Sequence, residues 1–168
     1  CDLRIQQGKK MNSKLLATLA ACLVFGCSSS PTRADNLFYD DIADGNISDW
    51  TLSSSSAYLN NASGNYSIGF RGTATATKSL SSVGLNRVTL TMMLAASSLE
   101  SADSCIAELS SNGGSTWTTL FSIGDGQDDN AFRIGVAAPT GADNNANLRF
   151  RFRAATGASG DYCYGDDV

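Results

Sequence analysis

From residue 37 onwards the chain repeats one pattern: a short run of β-forming residues followed by a turn rich in Gly, Asn, Asp or Ser. The clearest run is RFRFR at 149–153, where strand spacing places the arginines on one face and the phenylalanines on the other. We count roughly ten such runs and find no convincing amphipathic helix. The pattern predicts an all-β fold, and a two-sheet antiparallel jelly-roll sandwich accommodates it.

The runs differ in hydrophobicity, and this suggests how they are arranged. The segment RVTLTMMLAA at 87–96 is the most apolar and is predicted to be a central strand. The segment WTLSSSSAYL at 50–59 is predicted to be one strand, and NNASGN at 60–65 a loop. The remaining predicted strands are 37–42, 66–70, 73–80, 104–110, 116–123, 131–138, 147–154 and the closing run at 161–168.

The segment before the β-pattern predicts export from the cytoplasm. Residues 1–10 precede Met11 and are interpreted as upstream translated or cloning-derived sequence. Residues 11–27 form an export signal, with Lys14 as its positive charge and an apolar stretch at 15–25 that is too short to span a bilayer.

Two endings of this signal remain open. In the first, VFGC resembles a bacterial lipobox, Cys27 carries the lipid and residues 28–35 form a tether. In the second, cleavage follows Ala34. Both endings place a β-domain at 36–168 outside the cytoplasm, either lipid-anchored at the bacterial surface or extracellular.

Composition and charge exclude several classes of function. The chain contains no histidine, which removes the commonest general base and the commonest zinc ligand. From Ser28 onwards there are eight basic and fifteen acidic residues, a balance that argues against a nucleic-acid partner. The carboxylates lie in turns and at strand ends, and no activated nucleophile is evident. We therefore expect no catalysis within this chain; any catalytic residues would lie beyond Val168.

Two cysteines of the β-domain occur in a repeated local pattern. Cys105 and Cys163 each follow an Asp by two residues and precede an acid by three, in the segments DSCIAE and DYCYGD. Because an exported location favours oxidation, we expect a Cys105–Cys163 disulfide between neighbouring strands. Such a bond would contribute on the order of 3–4 kcal/mol. The alternative is two free, buried thiols.

Clusters of acidic residues suggest a structural calcium ion. Calcium prefers carboxylate and carbonyl oxygens and is plentiful outside cells. One site would join the first and last strands through Asp41 with Asp166 or Asp167. The loop GDGQDD at 124–129 could hold a second ion, although it lacks the full EF-hand pattern. The alternative is that all these acids are solvated turn residues.

Aromatic residues provide candidates for contact with a sugar ring, since they combine flat apolar area with polar groups. Tyr58 and Tyr66 flank the Asn-rich segment at 60–65, and Trp50 follows the first turn. The competing interpretation assigns such residues to the core. In the closing run, strand alternation places Tyr162 and Tyr164 on the face opposite Cys163.

The segment SSNGGSTW at 110–117 resembles the Asp-box of sialidase propellers and of many secreted β-domains, with Asn112 at the Asp position. Asn112 can hydrogen-bond its own turn, the two glycines permit positive φ, and Trp117 can fold back over the hairpin. Because the chain carries one such box rather than several, we interpret it as a structural hairpin.

Both ends of the β-domain resemble one family. The closing sequence LRFRFRAATGASGDYCYGDDV and the opening sequence LFYDDIADGNISDW are similar to the ends of MAM-type and related concanavalin-like jelly rolls, and to bacterial carbohydrate-binding jelly rolls. The resemblance implies that the first and last strands pair, and that Asp41 and Asp166 hold calcium. In that family the final strand continues beyond the Asp-Asp-Val motif, so we expect that the domain is truncated at its C-terminus.

Together these features predict a non-catalytic extracellular module that binds carbohydrate or extracellular matrix, with a polysaccharide or glycoprotein as partner. One alternative is an N-terminal accessory domain of a larger secreted hydrolase or protease. Another is a structural or adhesive surface protein that self-assembles through an unpaired edge strand. A membrane would be contacted only through a lipid on Cys27.

Overall fold

The computed structural model describes residues 40–168, and these form ten β-strands without a helix. The predicted export signal, the linker and the lipidation of Cys27 lie outside the described residues. The strands are β1 Thr51–Leu52, β2 Ala57–Ala62, β3 Asn65–Arg71, β4 Ala74–Leu80, β5 Leu90–Ser97, β6 Ser104–Ser110, β7 Thr118–Gly124, β8 Arg133–Ala137, β9 Leu148–Ala155 and β10 Tyr162–Asp166.

The strands form two five-stranded antiparallel sheets. The first sheet has the order β1-β4-β9-β6-β7, and the second has the order β2-β3-β10-β5-β8. Successive strands often change sheet, as in a jelly roll. The predicted all-β, two-sheet antiparallel jelly-roll sandwich is confirmed.

The core lies between the two sheets and follows the two-residue period of the strands. Phe150 and Phe152 on β9 are fully buried, while Arg149, Arg151 and Arg153, which alternate with them, lie on the outer face. From the second sheet, Ile68, Phe70 and Leu94 face them across the sandwich. The RFRFR pattern therefore predicted correctly which side of β9 faces inward.

Three predicted elements differ from the structure. The run at 50–59 splits into β1 and β2, which belong to different sheets, since the four serines between them form a turn. The segment at 60–65 is part of a β2–β3 hairpin with a tight turn at Ser63 and Gly64, both at positive φ. The run at 87–96 becomes strand only from Leu90, as β5.

The opening segment also differs from its prediction. Asp40 and Asp41 each accept a backbone N–H from the residue two positions on, which turns the chain away from a continuous strand. Asp40 nevertheless exchanges two backbone hydrogen bonds with Val168, at 2.9 and 3.1 Å. The opening and closing segments of the domain therefore meet.

A disulfide joins Cys105 on β6 to Cys163 on β10, with a Cα–Cα distance of 5.5 Å. Both half-cystines are buried, and their strands belong to opposite sheets. The predicted pairing is confirmed, but the bond crosses the sandwich rather than linking neighbours in one sheet.

The Asp-box-like segment forms a structural hairpin between β6 and β7. The Asn112 carboxamide oxygen accepts the backbone N–H of Thr116 at 2.9 Å, and Gly113 and Gly114 have φ of 71° and 94°. Trp117 lies beneath the Arg151 guanidinium, which is 3.9 Å from the ring centroid. The side chains of this motif make their contacts within the hairpin and with β9.

Across residues 40–168, no helix has the length and apolar character needed to cross a bilayer.

Candidate functional site

The outer face of the second sheet carries a cluster of tyrosines. Tyr58 on β2 and Tyr164 on β10 lie in one cross-strand row, separated by Gly69 of β3. Tyr162 lies two residues before Tyr164 and is opposite Arg71. We call the surface formed by Tyr58, Arg71, Tyr162 and Tyr164 the tyrosine face.

Small residues make room for the rings in this row. A Cβ atom on Gly69 would lie 2.8 Å from the Tyr58 ring, so this ring covers the Gly69 backbone. On the other side of Tyr164 the row continues to Ala95, which is only 1% exposed although it faces away from the core. The alternation of small and large side chains lets the tyrosines lie across the sheet.

Tyr162 and Tyr164 are close to parallel, with an interplanar angle of 4° and ring centroids 6.4 Å apart. Arg71 fixes one end of the pair. Its Nη2 donates to the Tyr162 hydroxyl at 2.8 Å and its Nε donates to the Ser159 carbonyl at 3.1 Å. The guanidinium Cζ lies 5.4 Å from the Tyr162 ring centroid, within the range of a cation–π contact.

The Tyr58 and Tyr164 hydroxyls are protonated at neutral pH, because the pKa of each is raised. Burial raises the pKa of Tyr58, with repulsion from Tyr162 adding to the rise and Arg71 opposing it. Burial also raises the pKa of Tyr164, and Tyr58 and Tyr162 raise it further. Each of the two phenols can therefore both donate and accept a hydrogen bond.

Polar side chains continue the same face towards the other end of the strands. Asn60 Nδ2 donates to the Ser67 hydroxyl at 3.1 Å, and Asp166 of β10 lies beside Met93 of β5. Burial raises the pKa of Asp166 to about 7; the Asp167 N–H opposes this, while the Asp167, Asp41 and Asp40 carboxylates add to it. This end of the outer face thus holds an acid whose pKa is near neutrality.

A cleft of about 600 Å³ borders the tyrosine face where β2 begins. It is lined by Ser55, Ser56, Tyr58, Arg71, Ser159 and Tyr162. Hydroxyl groups, a guanidinium and two aromatic rings therefore converge on one depression. This combination of ring faces and polar donors suits a ligand with apolar faces and many hydroxyls.

At its other edge the outer surface of the second sheet is apolar. Ile134 and Val136 on the edge strand β8 are 64% and 66% exposed. Ile134 lies opposite Met93 in the register of β5 and β8. This strip is separated from the tyrosine face by β5.

Trp50, predicted from the sequence as a ligand-binding residue, is a core residue. It is 5% exposed, its ring stacks on Phe152 with centroids 5.7 Å apart, and its Nε1 donates to Asp40 Oδ2 at 2.8 Å. Lys78 Nζ also lies over the indole, 5.7 Å from the ring centroid. The assignment of Trp50 to a ligand site was wrong.

Tyr66 and Tyr58 were predicted as a pair beside one loop, but the structure separates them. Tyr66 has the same strand parity as the buried Ile68 and packs against the core, with its ring over Gly45. Tyr58 faces the opposite side of the sheet. Only Tyr58 of the three predicted sugar-binding residues lies on the tyrosine face.

The predicted calcium ligands lie where the opening and closing segments meet. The Asp41 and Asp167 carboxylates are close enough to Asp166 to raise its pKa, so a cation would relieve the repulsion among the three. Within residues 40–168, however, these three do not form a group whose carboxylate oxygens all lie within 4.8 Å of one another. A calcium ion shared by Asp41 with Asp166 or Asp167 stays a prediction.

Sequence reasoning placed Tyr162 and Tyr164 on the correct face but did not assign them to the ligand site. The sequence feature that could have identified them as ligand-binding residues is their two-residue spacing around a buried cysteine, which places two rings on one side of a strand. Arg71 was missed altogether, since its importance depends on a register between β3 and β10 that the sequence does not reveal.

Comparisons with known proteins find similarity in structure but not in sequence. No protein-family profile matches the chain, and no curated protein sequence matches it significantly. Among solved structures, a TmCBM61 structure in complex with β-1,4-galactotriose matches with a TM-score of 0.52 and 12% identity, covering 76% of this chain and 91% of that one.

Two further structures have the same fold. The CBM22-1-GH10 modules of endo-1,4-β-D-xylanase 10B from Clostridium thermocellum, complexed with xylohexaose, match at TM-score 0.52 and 10% identity, over 80% of this chain and 28% of that one. The K3 cleaved adhesin domain of Lys-gingipain from Porphyromonas gingivalis w83 matches at TM-score 0.56 and 11% identity, over 79% and 97%. These likenesses establish a common jelly-roll fold.

Proposed function

We propose that this domain is a non-catalytic module that binds a polysaccharide or the glycan of a glycoprotein through its tyrosine face. The observation that carries the proposal is the row formed by Tyr58, Gly69 and Tyr164, flanked by Tyr162 and Arg71. It presents aromatic rings beside hydrogen-bond donors on the outer side of a rigid sheet.

The chemistry of sugars matches this surface. A pyranose ring has an apolar face of C–H groups that packs on an aromatic ring, and equatorial hydroxyls that need donors and acceptors at the rim. Tyr58 and Tyr164 offer both, because their phenols remain protonated at neutral pH. The cleft lined by Ser55, Ser56 and Arg71 adds polar groups at the end of the row.

The structural comparisons support a glycan ligand. Two proteins with this fold were crystallised with oligosaccharides, β-1,4-galactotriose in one and xylohexaose in the other. We infer a β-linked polysaccharide as the first class of ligand to test.

The test is a binding screen of the full chain against plant, algal and bacterial polysaccharides, followed by titration calorimetry with the best oligosaccharide. We expect Tyr58→Ala and Tyr164→Ala each to weaken binding at least about tenfold, since each removes one stacking surface. Trp117→Ala, which removes an aromatic side chain from the first-sheet side of the molecule, is the matched control and should leave affinity unchanged.

Two results would refute the proposal. The first is the absence of binding to any polysaccharide by a protein that circular dichroism and thermal melting show to be folded. The second is binding that survives both tyrosine substitutions but is abolished by Trp117→Ala, which would move the site to the other sheet.

A second candidate function is that of an accessory domain in a larger secreted hydrolase. The xylanase comparison favours it, because the matched module there is joined to a GH10 module. Sequencing the gene beyond codon 168 tests it. An in-frame catalytic domain would support this candidate, and a stop codon at that position would exclude it.

A third candidate is adhesion through self-assembly, which the exposed Ile134 and Val136 on the edge strand β8 favour. The likeness in fold to an adhesin domain is consistent with it. Light scattering tests this candidate: it requires concentration-dependent oligomers that Ile134→Lys abolishes, and a monomer at all concentrations would refute it.

We further propose that the domain is exported, with either a lipid on Cys27 or cleavage after Ala34. The Cys105–Cys163 disulfide supports an oxidising compartment. Mass spectrometry of the protein from its native host distinguishes the two endings, because a lipidated N-terminal cysteine and a chain beginning at Asp35 differ in mass. A mature chain beginning at Cys1 would refute both.

A further inference from the structure

The repeated Asp-x-Cys pattern has a structural consequence beyond the disulfide. Asp103 and Asp161 lie two residues before Cys105 and Cys163 and directly precede β6 and β10, so the two-residue period continues to their buried side chains on the inner side. Because the disulfide holds the two strands together across the sandwich, the two aspartates meet at its end. Glu100, in the connection between β5 and β6, joins them there.

The three carboxylates form a tight group that we call the end cluster. One oxygen from each of Glu100, Asp103 and Asp161 lies within 4.8 Å of the other two. Asp103 and Asp161 are 9% and 2% exposed, whereas Glu100 is open to solvent. The arrangement has two buried donors and one at the surface, which gives an ion a route from solvent.

In the part of the chain that the structure describes, no lysine or arginine balances the negative charge of the end cluster. Within residues 40–168, no ion pair joins a lysine or arginine to any of its three members. Backbone N–H groups of Glu100 and Gly157 bond to Asp103, and that of Ala158 bonds to Asp161, which positions the carboxylates without neutralising them. Burying unpaired like charges is costly.

A buried hydroxyl provides a second and independent indication. Thr156 is 8% exposed, and its Oγ1 has no hydrogen-bond partner in the described part of the chain. The β6–β9 ladder ends at the pair Ser104 and Ala155, so the next position sets Thr156 opposite Asp103 on the inner side. The side chain that lacks a partner is thus directed into the end of the sandwich where the carboxylates lie.

We propose that the end cluster is a calcium-binding site in which Glu100, Asp103 and Asp161 supply carboxylate oxygens. The Thr156 hydroxyl takes its missing partner from the ion or from a water bound to it.

The donor set selects a hard cation. All the candidate ligands are oxygens, the chain has no histidine, and the nearest two cysteines are committed to the disulfide. Ca²⁺ accepts an irregular set of six to eight oxygens, whereas Mg²⁺ demands a strict octahedron. We expect a dissociation constant on the order of 0.1–1 mM, as in extracellular modules.

A bound ion would connect two loops that border the tyrosine face. Asp161 immediately precedes Tyr162, and the same β9–β10 connection contains Ser159, whose carbonyl holds Arg71. Calcium at the end cluster would therefore fix the end of the face at which Arg71 and Tyr162 meet. The metal site itself does not depend on what the face binds.

The experiment uses the full chain, freed of metal by chelation and then titrated with calcium chloride. Calorimetry should show saturable binding, and a tenfold excess of Ca²⁺ over its dissociation constant should raise the melting temperature by about 3 to 6 °C. Glu100→Gln and Asp161→Asn should each abolish both effects. Glu100 is exposed, so its substitution tests the site without disturbing the core.

Two controls separate this site from other acids. Asp125→Asn removes an exposed carboxylate outside the end cluster and should leave calcium binding intact. Asp166→Asn removes a ligand of the site predicted between the opening and closing segments, and should also leave the end-cluster response intact. The proposal is overturned by the absence of calcium binding, or by binding that survives Glu100→Gln and Asp161→Asn but is lost in Asp166→Asn.

Discussion

Gly69 is the residue on which the shape of the tyrosine face depends. It lies between Tyr58 and Tyr164 in the cross-strand row, and its φ is not in the left-handed region, so no conformational demand explains a glycine there. A Cβ atom at this position would be 2.8 Å from the Tyr58 ring and 3.1 Å from Asn60 Cβ. The glycine is needed for the close approach of the ring.

We predict that Gly69→Ala tilts the Tyr58 ring away from the sheet and weakens glycan binding about three- to tenfold. The free energy of unfolding should change by less than about 1 kcal/mol, since the ring tip can move and alanine is no worse than glycine in a strand. Titration calorimetry and urea unfolding measure the two effects. In the matched control Gly160→Ala the new Cβ meets nothing within 4 Å, and equal weakening by both variants would contradict the prediction.

Single residues also show where prediction from sequence reached its limit. The alternation around Cys163 was sufficient to place Tyr162 and Tyr164 on the outer face. Trp50 could not be placed in this way, because its burial depends on Phe150, Phe152 and Asp40, which come from other parts of the chain. Short-range patterns give the side of a strand, whereas burial depends on what packs against that side.

At the scale of elements, β6 and β9 are joined by a buried charge cluster. Glu108 is 4% exposed and accepts hydrogen bonds from Arg151 Nε at 2.7 Å and Arg153 Nε at 2.8 Å. Burial by itself would raise the pKa of Glu108, but the hydrogen bonds from Arg153 and Arg151 outweigh it and lower the pKa below its ordinary value of 4.5. The folded state therefore favours the charged carboxylate.

Because folding lowers the pKa of Glu108, the free energy of unfolding depends on pH. The stabilisation is present above pH 4.5 and is lost as pH falls through the lowered pKa, because the unfolded chain then binds a proton more readily than the folded one. We predict that Glu108→Gln costs about 2 kcal/mol at pH 7 and that its difference from wild type shrinks below about pH 4.5. Urea unfolding from pH 3 to pH 8 measures this, with Asp125→Asn as control. A difference independent of pH would contradict it.

Element boundaries were predictable where apolar alternation was strong and failed where turn chemistry intervened. The runs that became β4 and β9 match their predictions closely, because buried and less buried residues alternate along each strand. The segment at 50–59 alternates as well, yet Ser54 forms a turn that sends β1 and β2 into different sheets. Whether the chain passes from one sheet to the other at this turn depends on which strands compete for the edge positions. The sequence alone does not reveal that competition.

For the whole molecule, the Cys105–Cys163 disulfide is the covalent link between the two sheets. The sequence predicted the pairing from the exported location and the repeated local pattern, but not that the bond crosses the core. The half-cystines also position Asp103 and Asp161, so the bond stabilises the sandwich and assembles the end cluster. The same local motif thus serves the overall fold and the proposed metal site.

We predict that Cys105→Ala/Cys163→Ala lowers the free energy of unfolding by about 3–4 kcal/mol, since the bond closes a loop of 58 residues. Alanine is chosen because both positions are buried and a polar replacement would add a desolvation cost. Urea unfolding gives the free energy, and non-reducing peptide mapping of the wild type should recover a Cys105–Cys163 cross-linked pair.

Reductant should destabilise the wild type to the level of the variant and leave the variant unchanged. A variant as stable as the oxidised wild type would show that the link does not hold the sheets together. If calcium affinity also falls in the double variant, the loss follows from the separation of Asp103 and Asp161, and added calcium should recover less stability than it gives the wild type.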